Sequence, residues 1–376
     1  MSETSSHYKN TEPAVKVTTL ELFFDLIFVF TITQLTELVI EAHSILEWLR
    51  IPLVLAIILY MYTGYVWLTN NLNLAHTKTR VLILLAMAGF LVIALAIPIA
   101  FGTGGLAFAL AYLLVTLIHL GLFTQARNSA SAQAIWNVAP FNLSTCLCLI
   151  LAVFLENPFK LILWLLGFGI MVSGSFFRRD NGFVLQPGHF AERHGLVILI
   201  ALGESVVGIG LGAKQEILSL PLILACLLGL TLSACMWWVY FDQDDAKGEQ
   251  ALSRASDQTR ERIAFLGYGY AHLILILGIV ISAAGIKQVI AQLHSTSQTA
   301  AWNLGIGVAL YLLGQVWFRQ AVGITPSHSR VFGVFAALAT IPVGLYLGGF
   351  SQVTAMVIGL MLMIVFDKKS RATLSP

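Results

Sequence analysis

Charged residues are scarce in this chain: Asp, Glu, Lys and Arg together make up only 11% of its 376 residues. Soluble globular domains carry about 25% charged residues, so the composition excludes an ordinary soluble protein. The net charge of +2 at pH 7 also lacks the basic excess that nucleic-acid binding requires. We therefore expect no nucleic-acid partner.

Cysteine is also rare. The four cysteines all fall within long apolar runs, at Cys146, Cys148, Cys226 and Cys235. Cys146 and Cys148 are two residues apart, so on a helix their side chains point about 200° apart and cannot chelate one ion together. The pattern predicts free, buried thiols. No motif indicates a metal site or a cofactor.

Hydrophobic residues are abundant, at 58% of the chain, and the mean hydropathy is +0.84. Apolar runs of about 20 residues are long enough to cross the hydrocarbon core of a bilayer as helices. We predict an all-α polytopic membrane protein, surrounded by lipid, with about 12 transmembrane helices. Their predicted ranges are 20–42, 45–69, 79–99, 104–126, 136–155, 158–177, 190–212, 219–241, 261–285, 299–321, 330–348 and 351–366.

The basic residues predict the orientation of these helices. All but four of the 21 lysines and arginines fall on one side of the predicted membrane; the exceptions are Arg50, Lys160, Lys214 and Lys287. Cytoplasmic loops are enriched in Lys and Arg, so we predict a cell-membrane protein with both termini in the cytoplasm. Residues 1–19 form a mobile cytoplasmic tail in this prediction, and residues 367–376 form a second tail. The first apolar run is too long for a cleavable signal peptide.

The two halves of the chain show weak internal similarity. A constant shift aligns residues 24–35 with 194–205, which places Gln34 on Glu204 and Trp67 on Trp237. We predict two parallel six-helix repeats, 20–180 and 181–366, because six helices return the chain to the same side of the membrane. Such repeats enclose a site along an axis normal to the membrane. The chain could form this path alone or as a homo-oligomer.

Three segments resemble one family. They are residues 18–29 (Thr-Thr-Leu-Glu-Leu-Phe-Phe-Asp-Leu-Ile-Phe-Val), residues 189–205, which begin His-Phe-Ala-Glu-Arg-His-Gly, and the aromatic run 237–242. In sequence and in order they are similar to the bacterial low temperature requirement protein A family. The resemblance implies a multi-pass protein of the bacterial inner membrane. The family's name describes growth in the cold and implies no substrate.

A looser likeness points to ion conduction. Potassium channels of lysosomes and bacteria are built from two six-helix repeats, and a Phe-Ser-Asp motif on the first helix of each repeat lines their pore. Phe23-Phe24-Asp25 is similar to this motif, but Phe24 replaces the serine. The equivalent place on helix seven is His194-Gly195. The likeness therefore implies pore-lining helices one and seven, and not potassium selectivity.

Glu204 is the most informative single residue, because it lies deep inside the apolar run 196–211. A helix that starts near residue 190 places Glu204 about 20 Å along its axis, near the bilayer midplane. A carboxyl group at that depth is costly and normally faces a protein interior or a water path. We predict an ion or proton path formed by Glu204, Ser205, Asp25 and Gln34. The alternative is a protonated Glu204 that only joins two helices.

Glu21 precedes Asp25 by one turn on the same face of helix one. Glu21 could simply cap the helix start, whereas Asp25 is deeper and needs a buried partner, for which Arg193 or Arg80 is available. We predict a charged cytoplasmic mouth formed by Glu21, Glu192, Arg193 and His194.

Several histidines could have either a structural or a functional role. A metal site at His189, Glu192 and His194 is disfavoured, because residues 189 and 194 face different sides of one helix. His119 and His272 are expected to be structural or to form a proton relay with Glu204.

Two functions remain open. The first is a channel or transporter for a cation or proton, with a central path lined by helices one and seven. The second is an intramembrane enzyme or lipid-handling protein that uses buried carboxylates as acid and base. We expect no enzyme, because the sequence shows no nucleophile–base pair and no credible set of three metal ligands. The longest loop, about 241–260, is short and charged; we predict that Asp242, Asp244 and Asp245 are solvated there.

Overall fold

The computed structural model describes residues 17–126, 129–176, 185–214, 216–293, 297–325 and 328–372, which form helices joined by short loops, without a strand in these ranges. The first half contains α1 (Thr19–Glu41), α2 (Ile45–Asn71), α3 (Thr77–Ala96), α4 (Gly105–Phe123), α5 (Ser129–Val153) and α6 (Phe159–Phe176). The second half contains α7 (Pro187–Ala213), α8 (Leu220–Phe241), α9 (Asp244–Arg254), α10 (Asp257–Ile263), a π-helical segment (Ala264–Ala271), α11 (His272–Ala291), α12 (Gln298–Ala321), α13 (His328–Ala339), α14 (Ile341–Leu347) and α15 (Gly349–Ala372).

Eleven helices or continuous helical rods in the described part of the chain are long and apolar enough to cross a membrane. The shorter segment Phe159–Gly174 is also apolar. The prediction of an all-α multi-pass protein with about 12 spans is therefore confirmed. The division into repeats 20–180 and 181–366 stays a prediction. Of the predicted first tail, residues 1–16 lie outside the described residues.

The helix boundaries differ from the sequence prediction in several places. The predicted helix 330–348 is broken into α13 and α14, because Pro342 lies at the start of α14 and cannot continue the helix before it. The last helix continues to Ala372, through most of the predicted tail 367–376, of which 373–376 lie outside the described residues. The predicted loop 241–260 contains the short helix α9.

Asp244 at the start of α9 is buried, so the prediction that it lies in a solvated loop is wrong. Its carboxylate lies 3.2 Å from Arg330 and 3.8 Å from Arg319. The same two guanidinium groups lie 3.5 Å and 3.6 Å from Asp367. Two positive and two negative side chains therefore compensate each other and join α9, α12, α13 and α15. Charge alone in a short loop does not show that the loop folds back onto the bundle.

The first two helices begin at capping boxes. In α1 the Thr18 hydroxyl accepts a hydrogen bond from the Glu21 N–H, and the Glu21 carboxylate accepts one from the Thr18 N–H. Ser44 and Glu47 form the same arrangement at α2. These pairs satisfy backbone donors that the first helical turn leaves free. We call the end of the bundle at which α1 begins the near end, and the opposite end the far end.

Glycines allow α11 and α12 to pack backbone against backbone. A Cβ atom added to Gly278 would lie 2.4 Å from the Tyr311 nitrogen, and one added to Gly307 would lie 2.4 Å from the Ser282 nitrogen. Small residues at such crossings let membrane helices approach closely. The contact fixes α11 in the second half, and α11 in turn packs against α1 and α7.

Gly278→Ala is expected to destabilise the protein by about 1–3 kcal/mol, because the new methyl group collides with rigid backbone. The melting temperature of the purified protein in one detergent measures the effect. Gly359→Ala is the matched control, since no atom lies within 4 Å of a Cβ at that position. Equal melting temperatures for the two variants would contradict the close crossing.

Candidate functional site

A buried arginine links α1 to α7 at the near end. Arg193 is completely buried, and its guanidinium donates to Glu21 at 3.0 Å and to Asp25 at 2.7 Å. Glu21 and Asp25 are both only 2% exposed. The i,i+4 spacing places the two carboxylates on one face of α1, so a single arginine reaches both. The sequence analysis names Arg193 and Arg80 as possible partners of Asp25. In the structure Asp25 pairs with Arg193, whereas Arg80 donates to the Leu74 carbonyl.

Two further side chains complete this group. The Tyr62 hydroxyl donates to Asp25 at 2.6 Å. His189 Nε2 lies 2.9 Å from the Glu21 carboxylate, and its Nδ1 lies 3.2 Å from the Asn70 amide nitrogen. A proton on Nε2 would let His189 donate to Glu21 and accept from Asn70. We call Glu21, Asp25, Tyr62, His189 and Arg193 the near cluster.

The near cluster has an excess of acceptors. Two carboxylates, Glu21 and Asp25, share one guanidinium, that of Arg193. Asp25 Oδ2 is buried and has no hydrogen-bond partner among the described residues. Buried charges normally have a partner for each polar atom. The Oδ2 atom is therefore an available acceptor for a cation or a proton.

A cavity opens onto the near cluster from the near end. It has a volume of about 670 Å³, and its lining includes Thr18, Glu21, Asn70, Arg80 and His189. We call it the near vestibule. It brings solvent-accessible space to the Glu21 and His189 side of the cluster, whereas Asp25 and Arg193 lie beyond that lining.

A second polar group lies further along the same two helices. Glu204 is 1% exposed, and its carboxylate accepts a hydrogen bond of 2.6 Å from the Thr33 hydroxyl on α1. Glu37 and Lys287 form an ion pair and lie within electrostatic range of Glu204. We call Thr33, Glu37, Glu204 and Lys287 the far cluster. It joins α1, α7 and α11.

Lys287 reaches the far cluster because two glycines bring α7 close to α11. A Cβ atom at Gly208 would lie 3.6 Å from Lys287 Cβ, and one at Gly212 would lie 2.8 Å from the Lys287 carbonyl oxygen. The sequence prediction assigns Lys287 to a loop because it ends the helix at residue 285. The helix in fact continues to Ala291, so the lysine projects from its last turns. Its side chain is 19% exposed.

Thr33→Val is expected to cost about 1–3 kcal/mol of stability, because it leaves a buried carboxyl group without its hydrogen bond. The melting temperature of the purified protein measures this loss. Thr31→Val is the matched control on the same helix. Both threonine hydroxyls lie within hydrogen-bond distance of the carbonyl four residues earlier, Ile27 for Thr31 and Val29 for Thr33, but of the two it is Thr33 that also reaches Glu204. If both variants melted at the same temperature, the Thr33–Glu204 bond would contribute nothing.

Apolar side chains separate the two clusters. Asp25 and Thr33 are about 12 Å apart along the axis of α1. The turns between the clusters contain Phe28 and Ile32 on α1 and Val197, Ile198 and Ala201 on α7, and all five are at most 3% exposed. We call these five residues the apolar barrier. The two polar clusters are therefore separated by buried apolar side chains.

Several predicted site residues lie elsewhere than expected. Gln34 is half-buried and forms no hydrogen bond with a described residue; its neighbour Thr33 faces Glu204 instead. Ser205 is fully buried, and its hydroxyl has no hydrogen-bond partner in the described part of the chain. Glu192 is exposed, because consecutive helical residues point about 100° apart and Arg193 faces α1. Glu192 therefore does not join a charged cluster with Arg193.

The predicted mouth residue His194 and the predicted relay residue His272 lie together. His194 is 2% exposed, its Nδ1 lies 2.9 Å from the Phe190 carbonyl oxygen, and its ring lies 5.4 Å from that of His272. His272 contacts the Tyr240 hydroxyl and the Gly267 carbonyl through its two nitrogens. His194 is thus enclosed by aromatic rings and not at a solvated mouth.

His119 packs in the first half of the chain, with ring centroids 5.4 Å from Tyr65 and 4.9 Å from Phe123. A proton relay from His119 or His272 to Glu204 stays a prediction. In this structure both nitrogens of His272 already have other partners.

Sequence reasoning missed several members of the two clusters. Tyr62 and Thr33 carry no charge and lie in apolar runs, so nothing marks them before the partner helix is known. The sequence analysis considers His189 only as a metal ligand, although its place one turn before Arg193 on α7 indicates a shared partner. Lys287 was missed because the end of its helix was placed too early.

Comparison with known proteins identifies the family of this chain. The model of the bacterial low temperature requirement A protein family matches residues 16–365. An uncharacterized protein of Rhizobium meliloti (strain 1021) is 27% identical over 353 residues, covering 89% of this chain and 85% of that protein. No solved structure matches. The chain belongs to the bacterial low temperature requirement A family, and the family resemblance of the sequence is confirmed.

Proposed function

We propose that this member of the low temperature requirement A family is a channel or transporter that moves a cation or a proton between α1 and α7. The observation that carries the proposal is Glu204, a carboxyl group inside a membrane span whose hydrogen-bond partner in the described chain is Thr33. Ionisable residues within membrane spans are costly and typically mark ion or proton pathways.

The charge of the two clusters favours a positive substrate. The near cluster has two carboxylates and one arginine, and the far cluster has two carboxylates and one lysine. In each cluster the carboxyl groups outnumber the Lys and Arg side chains by one. A cation or proton would supply the missing charge, whereas an anion would add to the excess. Asp25 Oδ2, which has no partner among the described residues, offers the transported species a position at the near end.

The apolar barrier favours alternating access over a permanently open pore. The near vestibule leads to Glu21, and the far cluster is partly exposed, with Glu37 at 34%. Phe28 and Ile32 fill the turns of α1 between them. Transport would then require α1 to move relative to α7. The hydrogen bonds that Arg193 and Glu204 form with α1 would break and re-form one after the other.

For the location we propose the bacterial cell membrane with both termini in the cytoplasm. All but four of the 21 lysines and arginines fall on the side that carries the termini when the spans are counted as twelve. The near vestibule would then open to the cytoplasm.

The experiment is flux into liposomes that contain the purified protein, measured for potassium, sodium and protons in separate reactions. We expect uptake of one of these above the level of protein-free liposomes prepared in parallel. A folded, correctly inserted protein that moves none of the three would refute the proposal.

A further inference from the structure

Asn70 joins the end of α2 to the start of α7. Its side-chain oxygen accepts a hydrogen bond of 2.7 Å from the Gln186 N–H, and its amide nitrogen donates to the Gln186 carbonyl at 3.3 Å. Gln186 immediately precedes α7. A backbone N–H can only donate and a carbonyl can only accept, so these two contacts fix the direction in which the Asn70 amide points. We call this pair of hydrogen bonds the Asn70 clamp.

The direction of the Asn70 amide also determines where His189 carries its proton. The Asn70 amide nitrogen lies 3.2 Å from His189 Nδ1. Because that nitrogen offers only donor hydrogens, Nδ1 has to be an acceptor without a proton. The ring proton is then on Nε2, which donates to the Glu21 carboxylate at 2.9 Å. These contacts fit only the neutral form of His189.

A second proton on His189 is incompatible with the Asn70 clamp. With Nδ1 protonated, the ring would point a donor at the donor hydrogens of the Asn70 amide. Turning the amide over would offer its oxygen to Nδ1, but the same oxygen would then face the Gln186 carbonyl and the amide nitrogen would face the Gln186 N–H. In both arrangements polar groups that are buried lose their partners, which is costly.

Charged groups on several helices surround His189 and act in both directions. Glu21 favours the protonated ring, whereas Arg193 and the positive N-terminal end of α7, in whose first turn His189 lies, oppose it. Further titratable or charged side chains around it are Asp25 on α1, Tyr62 on α2, Arg80 on α3, Glu192 on α7 and Glu249 on α9. Histidine is the side chain that ordinarily changes its charge between about pH 5 and 8. The near vestibule, which His189 lines, gives protons access to the ring.

We propose that His189 is a proton-binding switch of the near vestibule, and that its protonation breaks the Asn70 clamp and separates the start of α7 from the end of α2. The vestibule widens as a result, because Asn70, Gln186 and His189 all belong to its lining. Acidification at the near end thus regulates access to the near cluster. The switch is independent of whether the protein transports an ion.

Hydrogen–deuterium exchange of the full-length protein in lipid nanodiscs tests the switch. The Gln186 N–H is the reporter, because it donates to Asn70, and its exchange is read from overlapping peptides that isolate this amide. Exchange is measured at about pH 7.5 and about pH 5.5, on the two sides of the usual charge change of histidine, and is corrected for the intrinsic rate at each pH. We expect the protection of the Gln186 amide to fall roughly tenfold at the lower pH, the size of effect that one hydrogen bond contributes.

His189→Gln should show equal protection at the two pH values. Glutamine takes up no proton, and its amide oxygen can still accept the hydrogen bond from Asn70. Glu21 and Asp25 are unchanged in this variant, so a response due to their carboxylates would persist. His76→Gln is the matched control and should keep the full response, since His76 is an exposed histidine just before α3 at the same end of the bundle.

Asn70→Asp tests the partner of the switch. One carboxylate oxygen can keep the bond to the Gln186 N–H while the other accepts from the protonated Nδ1 of His189. Acid should therefore raise the protection of the Gln186 amide in this variant instead of lowering it. Four results would overturn the proposal: equal protection at the two pH values in the unaltered protein, a response that persists in His189→Gln, a response that disappears in His76→Gln, or protection that still falls in acid in Asn70→Asp.

Discussion

Glu204→Gln is expected to reduce cation or proton flux to the level of protein-free liposomes while the protein remains folded. The amide oxygen of glutamine can still accept the hydrogen bond from Thr33, so the contact between α1 and α7 persists. What disappears is the capacity to carry a negative charge or to exchange a proton inside the membrane. The other carboxyl group of the far cluster, that of Glu37, is paired with Lys287 and is not expected to replace it.

Glu192→Gln is the matched control for this prediction. It is the same chemical change on the same helix, but Glu192 is exposed and forms no hydrogen bond with a described residue. Flux should match that of the unaltered protein, and the melting temperatures of all three proteins should agree closely. Normal flux through a well-folded Glu204→Gln protein would remove Glu204 from the path.

Arg193→Gln is expected to destabilise the protein by about 3–5 kcal/mol. Removing one member of a buried ion pair leaves its partners without compensation, and here two carboxylates, Glu21 and Asp25, depend on the same guanidinium. Thermal unfolding in detergent measures the loss. Arg80→Gln should cost far less, because Arg80 is exposed and donates to a backbone carbonyl.

A double variant separates charge from packing. Adding Asp25→Asn to Arg193→Gln removes one of the uncompensated carboxylates, and asparagine can still accept the hydrogen bond from Tyr62. We expect the double variant to be more stable than Arg193→Gln alone. If the single change left the melting temperature untouched, the near cluster would not hold α1 to α7.

The spans could be predicted from the sequence because hydrophobic length is nearly sufficient to identify them. The range 20–42 differs by one residue at each end from α1, and 219–241 likewise agrees with α8 (Leu220–Phe241). Errors arose where length gives no signal: α9 is too short to cross a membrane, and Pro342 divides a run that is apolar throughout.

The site was predictable only where charge marked it. Glu204, Asp25 and Arg193 stand out because charged residues are rare in these helices. Thr33 was missed in favour of Gln34, since a helix that is apolar on all sides gives no indication of which face turns toward its partner. That choice is a rotation of about 100°, and only the packing of α1 against α7 and α11 decides it.

In the proposed mechanism the Glu204 carboxyl group binds and releases the transported cation or proton, and infrared difference spectroscopy detects that event. Spectra of the protein in liposomes are recorded before and after a change of pH or of the transported cation, with Glu204→Gln as the reference. We predict a carboxyl band that responds to the change and is missing in Glu204→Gln. Active protein whose spectrum shows no response assignable to Glu204 would show that this carboxyl group does not bind the transported species.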